Sequence, residues 1–358
     1  MIDVFDISLK KKKNLNDLLK KNFYSENIYT KKLENKISNI TNSKYSVSIS
    51  NWTLGLIAGL KAMGVKNKYI VVPNNTFVAS LNSIIESNAI PVICDTDENF
   101  NFRHDDLVKI LKKYNPYAVM IVHLYGLSAD ISSILKLKTK YKFKIIEDSA
   151  QSLFTYNNFG HTGTVGDFGG FSFYGNKIIS SGEGGCLITN NKKIFNFVKN
   201  YKNHGRLQKG SFIHKKYGLN YSTTDLSSAL ALDMINEYNI NYLKRKKLLN
   251  YYRQQLGREN FFEYPKKSNY WALPFKLDKR INTNKFIKYM FENKIQIRRL
   301  FYPIEKQPYI KKIKKIRFMV NDYYSKNVYN QIVLLPLNPN MTVKDVFKVT
   351  NKIKKFIN

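Results

Sequence analysis

Cysteine is scarce: Cys94 and Cys186 are the only two in 358 residues. Two cysteines build no disulfide framework, and their spacing suits no structural zinc site. Each lies in an apolar run (PVICD and GGCLITN), as small buried hydrophobes do, so no metal is expected and a reducing cytoplasm is the expected setting. Long hydrophobic runs are missing too. No stretch approaches the roughly 18 uninterrupted apolar residues of a membrane span, so no membrane association is expected. At the N-terminus the basic run follows the apolar residues, and Asp3 and Asp6 interrupt them, a pattern unlike a secretory signal.

Acidic residues are outnumbered, 26 Asp and Glu against 59 Lys and Arg, for a formal net charge of +33. The lysines are spread along the whole chain beside abundant Asn, Ile, Tyr and Phe, as a compositional bias spreads them. No RNP, zinc-finger or helix-turn-helix signature accompanies the charge, so no specific nucleic-acid partner is expected. A non-catalytic nucleic-acid binder on an enzyme scaffold is the alternative from another functional class. A positive field also steers an anionic, phosphate-bearing substrate toward a cleft. Hydrophobic residues make up 43% of the chain, which excludes a disordered polymer.

From about residue 45 to 200, short apolar strands alternate with amphipathic segments. The runs at 69–73, 90–95, 118–124 and 143–148 read as strands. Those at 53–63, 77–88, 104–114 and 130–140 carry helical periodicity. Such alternation implies an α/β domain with a mostly parallel sheet covered by helices. The runs at 168–175 and 184–190 lie too close for a helix between them, so they either pair or bracket a loop. The pattern is helical at 225–256. A strand-like run at 270–277, a helix at 283–293, the segment 295–303 and a helix at 342–357 imply a smaller α+β domain. The expected division is 1–240 and 241–358.

Two positions stand out chemically. Asp148 ends its strand in KIIEDSAQ, where open parallel sheets bind ligands; the competing reading is a cap on the next helix. Lys177 lies in FSFYGNKIISSGEGG, whose flanks are almost uncharged, unlike those of most lysines here. Desolvation lowers a lysine's pKa, as covalent chemistry at its amine requires.

EDSAQ, GDFGGFSFYGNKIISSGEGG, NHG (203–205) and GLNYS (218–222) occur in one order, with PNNTFVAS (73–80), VHLYG (122–126) and LFYPIEKQPYI (300–310). Together these resemble the DegT/DnrJ/EryC1/StrS-type sugar aminotransferases, which share the type I aspartate aminotransferase fold and use pyridoxal 5'-phosphate. The resemblance covers nearly the whole chain. It implies that Lys177 binds the cofactor covalently, Asp148 pairs with the ring nitrogen and Gln151 lies beside the ring hydroxyl. It further implies that Phe77 stacks on the ring and that Ser172 and the turn Asn51-Trp52-Thr53 hold the phosphate. Asn220 would reach that phosphate from a neighbouring subunit, making the active unit a homodimer with a shared site. Bland alternatives are a core role for Phe77, a strand-end hydroxyl at Ser172 and a turn role for Asn220.

The chain departs from the family pattern at Trp52, where a small residue is usual, at Ser222, where Arg or Lys is common, and at Glu305, where His is usual. A branch with His at the lysine position dehydrates its sugar, and Lys177 argues against that branch. The resemblance implies L-glutamate as amino donor and a nucleotide-linked keto-deoxy sugar as acceptor. The run RRLFYPIEKQP resembles members that aminate C4 of 4-keto-6-deoxyhexoses, as in perosamine or viosamine synthesis; amination at C3 is the alternative. Arg298, Arg299, Tyr302, Glu305 and His204 are the candidate substrate-binding residues. Either arginine suits a diphosphate, although a solvated basic strand edge is an equal reading.

Overall fold

The computed structural model describes residues 1–21, 23–206, 212–214 and 216–357. Its centre is an eight-stranded sheet. In spatial order the strands are Tyr45–Ile49, Gly185–Thr189, Phe168–Ser172, Lys144–Asp148, Ala118–Val122, Tyr69–Pro73, Ile90–Cys94 and Arg317–Met319. Gly185–Thr189 alone runs against the others in this sheet. All five residues of Ala118–Val122 are buried, as expected for a central strand with helices on both faces. The two faces are filled by separate apolar clusters, one containing Leu56, Leu60, Ile84 and Phe168, the other Leu107, Ile110, Ile134 and Ile145.

The strand–helix alternation anticipated from the periodicity is present. The helices Trp52–Ala62, Val78–Glu86, His104–Tyr114 and Ile131–Tyr141 connect the parallel strands, each starting within a residue of its expected position. The runs at 168–175 and 184–190 do both things left open: Gly169–Ser172 pairs antiparallel with Gly185–Ile188, and the strands bracket the loop that carries Lys177.

A second sheet pairs Leu273–Lys276 and Arg298–Arg299 on either side of Ile332–Leu335. The helices Thr283–Glu292 and Val343–Ile357 cover it through Phe286, Met290, Val346, Val349 and Ile353. The 32-residue helix Asp225–Leu256 spans the region where the division near 240 was expected. Its N-terminal Asp225 is buried and accepts from the backbone N–H groups of Asn27, Tyr29 and Thr30, which ties down the start of the helix Ile28–Thr41. Farther on, Ile304, Ile310 and Ile316 pack with the large sheet's helices, and Arg317–Met319 adds to the large sheet's edge. The N-terminus does the reverse: Ile2 exchanges backbone hydrogen bonds with Lys294 and Gln296, just before the second sheet's strand Arg298–Arg299.

Both cysteines are buried and free. Among the described residues no helix is long and apolar enough to cross a membrane, and no cluster of His, Cys, Asp and Glu could hold a metal.

Glycine lets one helix pack closely on the large sheet. Trp52, the first residue of its helix, lays its indole against Gly55 and Gly170; a Cβ on Gly170 would meet the Trp52 ring at 2.2 Å and the Cys186 carbonyl oxygen at 2.3 Å. A methyl group there forces the ring or the strand to move. Gly170→Ala is therefore expected to destabilise the protein by about 1–3 kcal/mol, read as a lower midpoint of thermal unfolding. An unchanged midpoint would show that the contact is loose.

Candidate active site

The carboxyl ends of the parallel strands converge on one cavity of about 750 Å³. Its walls include Asn51, Trp52, Thr53, Phe77, Asp148, Gln151, Ser172, Lys177, Arg298 and Arg299. These positions lie up to 248 residues apart in sequence, and the topology brings them together because ligand sites of open parallel sheets form at this edge.

Asp148 ends the Lys144–Asp148 strand and is 4% exposed. Its Oδ1 accepts from the Trp52 Nε1–H at 2.8 Å and from the Ala150 backbone N–H at 3.2 Å. Its Oδ2 accepts from the Ser80 hydroxyl at 2.7 Å. Ser80 Oγ lies 2.7 Å from Thr76 Oγ1; with the Ser80 proton turned to Asp148, Thr76 donates. Every donor to this buried carboxylate is neutral, and among the described residues it has no cationic partner within 4.0 Å.

Lys177 is held by its own loop. Its N–H donates to the Tyr174 carbonyl, buried Ile178 and Ile179 anchor the chain beyond it, and the Trp271 indole N–H donates to the Asn176 carbonyl at 2.7 Å. The Lys177 Nζ sits 4.4 Å from the centroid of the Trp271 ring. Burial pulls this amine down from 10.5 to about 8, against the opposing attraction of the Asp148 carboxylate. An amine with that value keeps an appreciable neutral, nucleophilic fraction near physiological pH, which an ordinary lysine does not.

Gln151 is fixed by its side-chain oxygen, which accepts from the Tyr125 N–H at 2.7 Å; its NH₂ group remains for a ligand. At the other end of the cavity the helix Trp52–Ala62 begins. Asn51 caps it by accepting from the Leu54 N–H, so the N–H groups of Trp52 and Thr53 are the helix-end donors left for an anion. Gly185 makes room for this turn, since a Cβ there would come within 2.7 Å of the Trp52 nitrogen. Ser172 ends its strand beside it. Phe77 turns an exposed ring to the cavity and leans on Phe301, which stacks toward Tyr125.

This donor set fits pyridoxal phosphate. A buried carboxylate supplied only with neutral donors suits a protonated ring nitrogen. A helix N-terminus with an adjacent hydroxyl suits the phosphate. A lysine with a lowered pKa suits the aldehyde, and an aromatic face suits the ring.

The comparisons with known proteins agree. Residues 6–354 match the model of the DegT/DnrJ/EryC1/StrS aminotransferase family. The chain belongs to this family of pyridoxal-phosphate-dependent sugar aminotransferases. It is similar to a GDP-perosamine synthase of Vibrio cholerae, 29% identical with 100% of both chains covered. It is also similar to a dTDP-3-amino-3,6-dideoxy-alpha-D-galactopyranose transaminase of Aneurinibacillus thermoaerophilus, 28% identical over 90% of this chain and 88% of that one. In structure it superposes on the aminotransferase TlmJ from Streptoalloteichus hindustanus with a TM-score of 0.91 at 20% identity, covering 100% and 99% of the two chains.

Four residues expected at the site do not line the cavity of their own chain. Asn220 is exposed, bridged to Asn203, and accepts from the Ser222 N–H. His204 lies at the exposed start of the same loop. Tyr302 is exposed and edges onto Tyr329. Glu305 turns inward, its backbone N–H donating to Asn74 Oδ1, and burial raises the pKa of its carboxyl. Sequence reading missed Phe5, Ser80, Thr76, Tyr125, Glu183 and Trp271. One signal was available: the chain has only two tryptophans, and both line this cavity.

Reductive methylation of the cofactor-free protein, read at Lys177 by peptide mass spectrometry across pH, is expected to reach half its maximum near pH 8. An amine at the ordinary lysine value of 10.5 would do so more than two units higher. Because Asp148 holds the value up, Asp148→Asn should lower the Lys177 midpoint further. A Lys177 midpoint equal to that of surface lysines would contradict its desolvation.

Proposed function

We propose that the chain transfers the amino group of L-glutamate to C4 of a nucleotide-linked 4-keto-6-deoxyhexose, working as a homodimer. The observation that carries this reading is that the Lys177 amine and the Arg298 guanidinium share one cavity. One suits carbonyl chemistry and the other a diphosphate. Bound pyridoxal phosphate supplies the electron sink that makes the amino donor's α-carbon acidic.

The rest is the work of this chain's residues. Asp148 retains the proton on the ring nitrogen, and the Trp52 and Thr53 N–H groups with the Ser172 hydroxyl hold the phosphate. Gln151 offers its NH₂ to the ring oxygen, and Phe77 covers the ring face. The Lys177 amine takes the proton from the α-carbon of the donor as general base and returns one as general acid. In the second half-reaction it delivers a proton to the sugar carbon that receives nitrogen. Donor and acceptor use the site in turn, so ping-pong kinetics are expected.

The two arginines differ in their freedom. Arg299 donates to the Tyr329 carbonyl and to Asn284, whereas Arg298 is exposed, with one long hydrogen bond to Gln296 at 3.4 Å and its guanidinium over the Phe5 ring. We therefore assign the diphosphate to Arg298. Asn220 serves the phosphate site of a second copy; its loop exposes Phe212 and Tyr217, apolar surface suited to that neighbour. The perosamine synthase relative, matched over its full length, supports C4. The 3-amino sugar transaminase relative keeps C3 as the second reading.

Incubation with L-glutamate and nucleotide-linked 4-keto- or 3-keto-6-deoxyhexoses, with NMR of the product, tests the position: nitrogen on C4 is expected, and turnover of the 3-keto sugar alone would replace this reading by the second. Arg298→Ala should raise the Michaelis constant for the nucleotide sugar about tenfold or more, the size of a lost charge-assisted contact, with Arg299→Ala changing it far less. Equal constants in both variants and wild type would exclude the arginine assignment.

A further inference from the structure

Trp52 performs two tasks with one residue. Its backbone N–H belongs to the helix N-terminus, while its side chain folds back beneath the helix to reach Asp148. The indole is 4% exposed and wedged between Gly55 and Gly170, where added Cβ atoms would approach ring carbons at 2.5 and 2.2 Å. A ring so confined points its single donor in one direction, and that donor meets Asp148 Oδ1 at 2.8 Å.

The two carboxylate oxygens are thereby made unequal. A carboxylate offers about two acceptor sites on each oxygen. Oδ1 has both engaged, by Trp52 and by the Ala150 N–H. Oδ2 has one engaged, by Ser80. The terminal torsion of an aspartate is soft, and donors on both oxygens are what stop its rotation. We propose that Trp52 is a positioning residue: it clamps Oδ1 so that Oδ2 faces the ring-nitrogen proton of the cofactor, and it ties that end of the ring to the helix that holds the phosphate. The inference rests on the reading that Asp148 partners the ring nitrogen.

Trp52→Phe keeps a ring on the two glycines and deletes the donor. Cofactor dissociation constants are measured by absorbance titration of cofactor-free wild type, Trp52→Phe, Asp148→Asn and the double variant. Trp52→Phe is expected to weaken binding about tenfold, and the double variant to bind no more weakly than Asp148→Asn alone, because residues acting through one another are not additive. Wild-type affinity in Trp52→Phe, or additive losses in the double variant, overturns the proposal while leaving the role of Asp148 standing. Unchanged affinity in Asp148→Asn removes that role and the proposal with it.

A second measurement does not require a Trp52 variant. The protein has two indole N–H resonances, and Trp271→Phe assigns them. Asp148→Asn should move the Trp52 resonance upfield, as a charged acceptor becomes a neutral one, and leave that of Trp271 in place. A Trp52 resonance indifferent to Asp148→Asn overturns the proposal.

Discussion

A carboxylate buried among neutral donors is the constraint around which this site is organised. Asp148 receives hydrogen bonds from an indole, a hydroxyl and a backbone amide, yet no cation lies in ion-pairing reach among the described residues. Burying a charge without a counterion is costly. Three donors reduce that cost, and the protonated ring of the proposed cofactor pairing would complete the compensation. The same charge sets the behaviour of the lysine. Desolvation alone would depress the Lys177 amine further; the Asp148 carboxylate keeps its value at about 8, where both protonation states are accessible to the proposed general base and acid.

The fold explains why these groups meet. Asp148 and Ser172 end neighbouring parallel strands, and Trp52 opens the helix that follows the strand Tyr45–Ile49. Lys177 hangs from the loop between two antiparallel strands, so its position is set from both sides. The outer wall comes from Trp271 and from Arg298 of the second sheet. The N-terminal arm stacks Phe5 on Trp271 at 4.6 Å, and the Arg298 guanidinium lies 5.1 Å from the centroid of that phenyl ring. One continuous stack thus runs from the Lys177 amine to the proposed diphosphate contact.

Much of this was legible in the residues. The strands Tyr69–Pro73 and Lys144–Asp148 are β-branched runs bounded by polar turns, and Lys177 was conspicuous because its flanks are nearly uncharged in a lysine-rich chain. Other parts were hidden for physical reasons. Arg317–Met319 is three residues long and mostly polar in its surroundings, and only the edge of a distant strand makes it a strand. The helix Ile28–Thr41 is polar over most of its length and is held at its start by Asp225, nearly 200 residues away. Trp52 was visible as a departure from its family, but its hydrogen bond to a residue 96 positions later exists only in the folded chain. Phe5 lay in a segment whose pattern shows neither helical nor strand period, and its place follows from the pairing of Ile2 with Ile295.

Lys177 and Asp148 are proposed to operate a bound pyridoxal phosphate in transamination. The most direct measurement is the near-visible absorbance of cofactor-reconstituted protein before and after L-glutamate, with Lys177→Ala beside it. The wild type is expected to show a band that shifts when glutamate is added and returns when a keto sugar follows, and Lys177→Ala no such cycle. A wild-type protein that takes up the cofactor without forming that band, or a Lys177→Ala protein that cycles normally, would contradict that role.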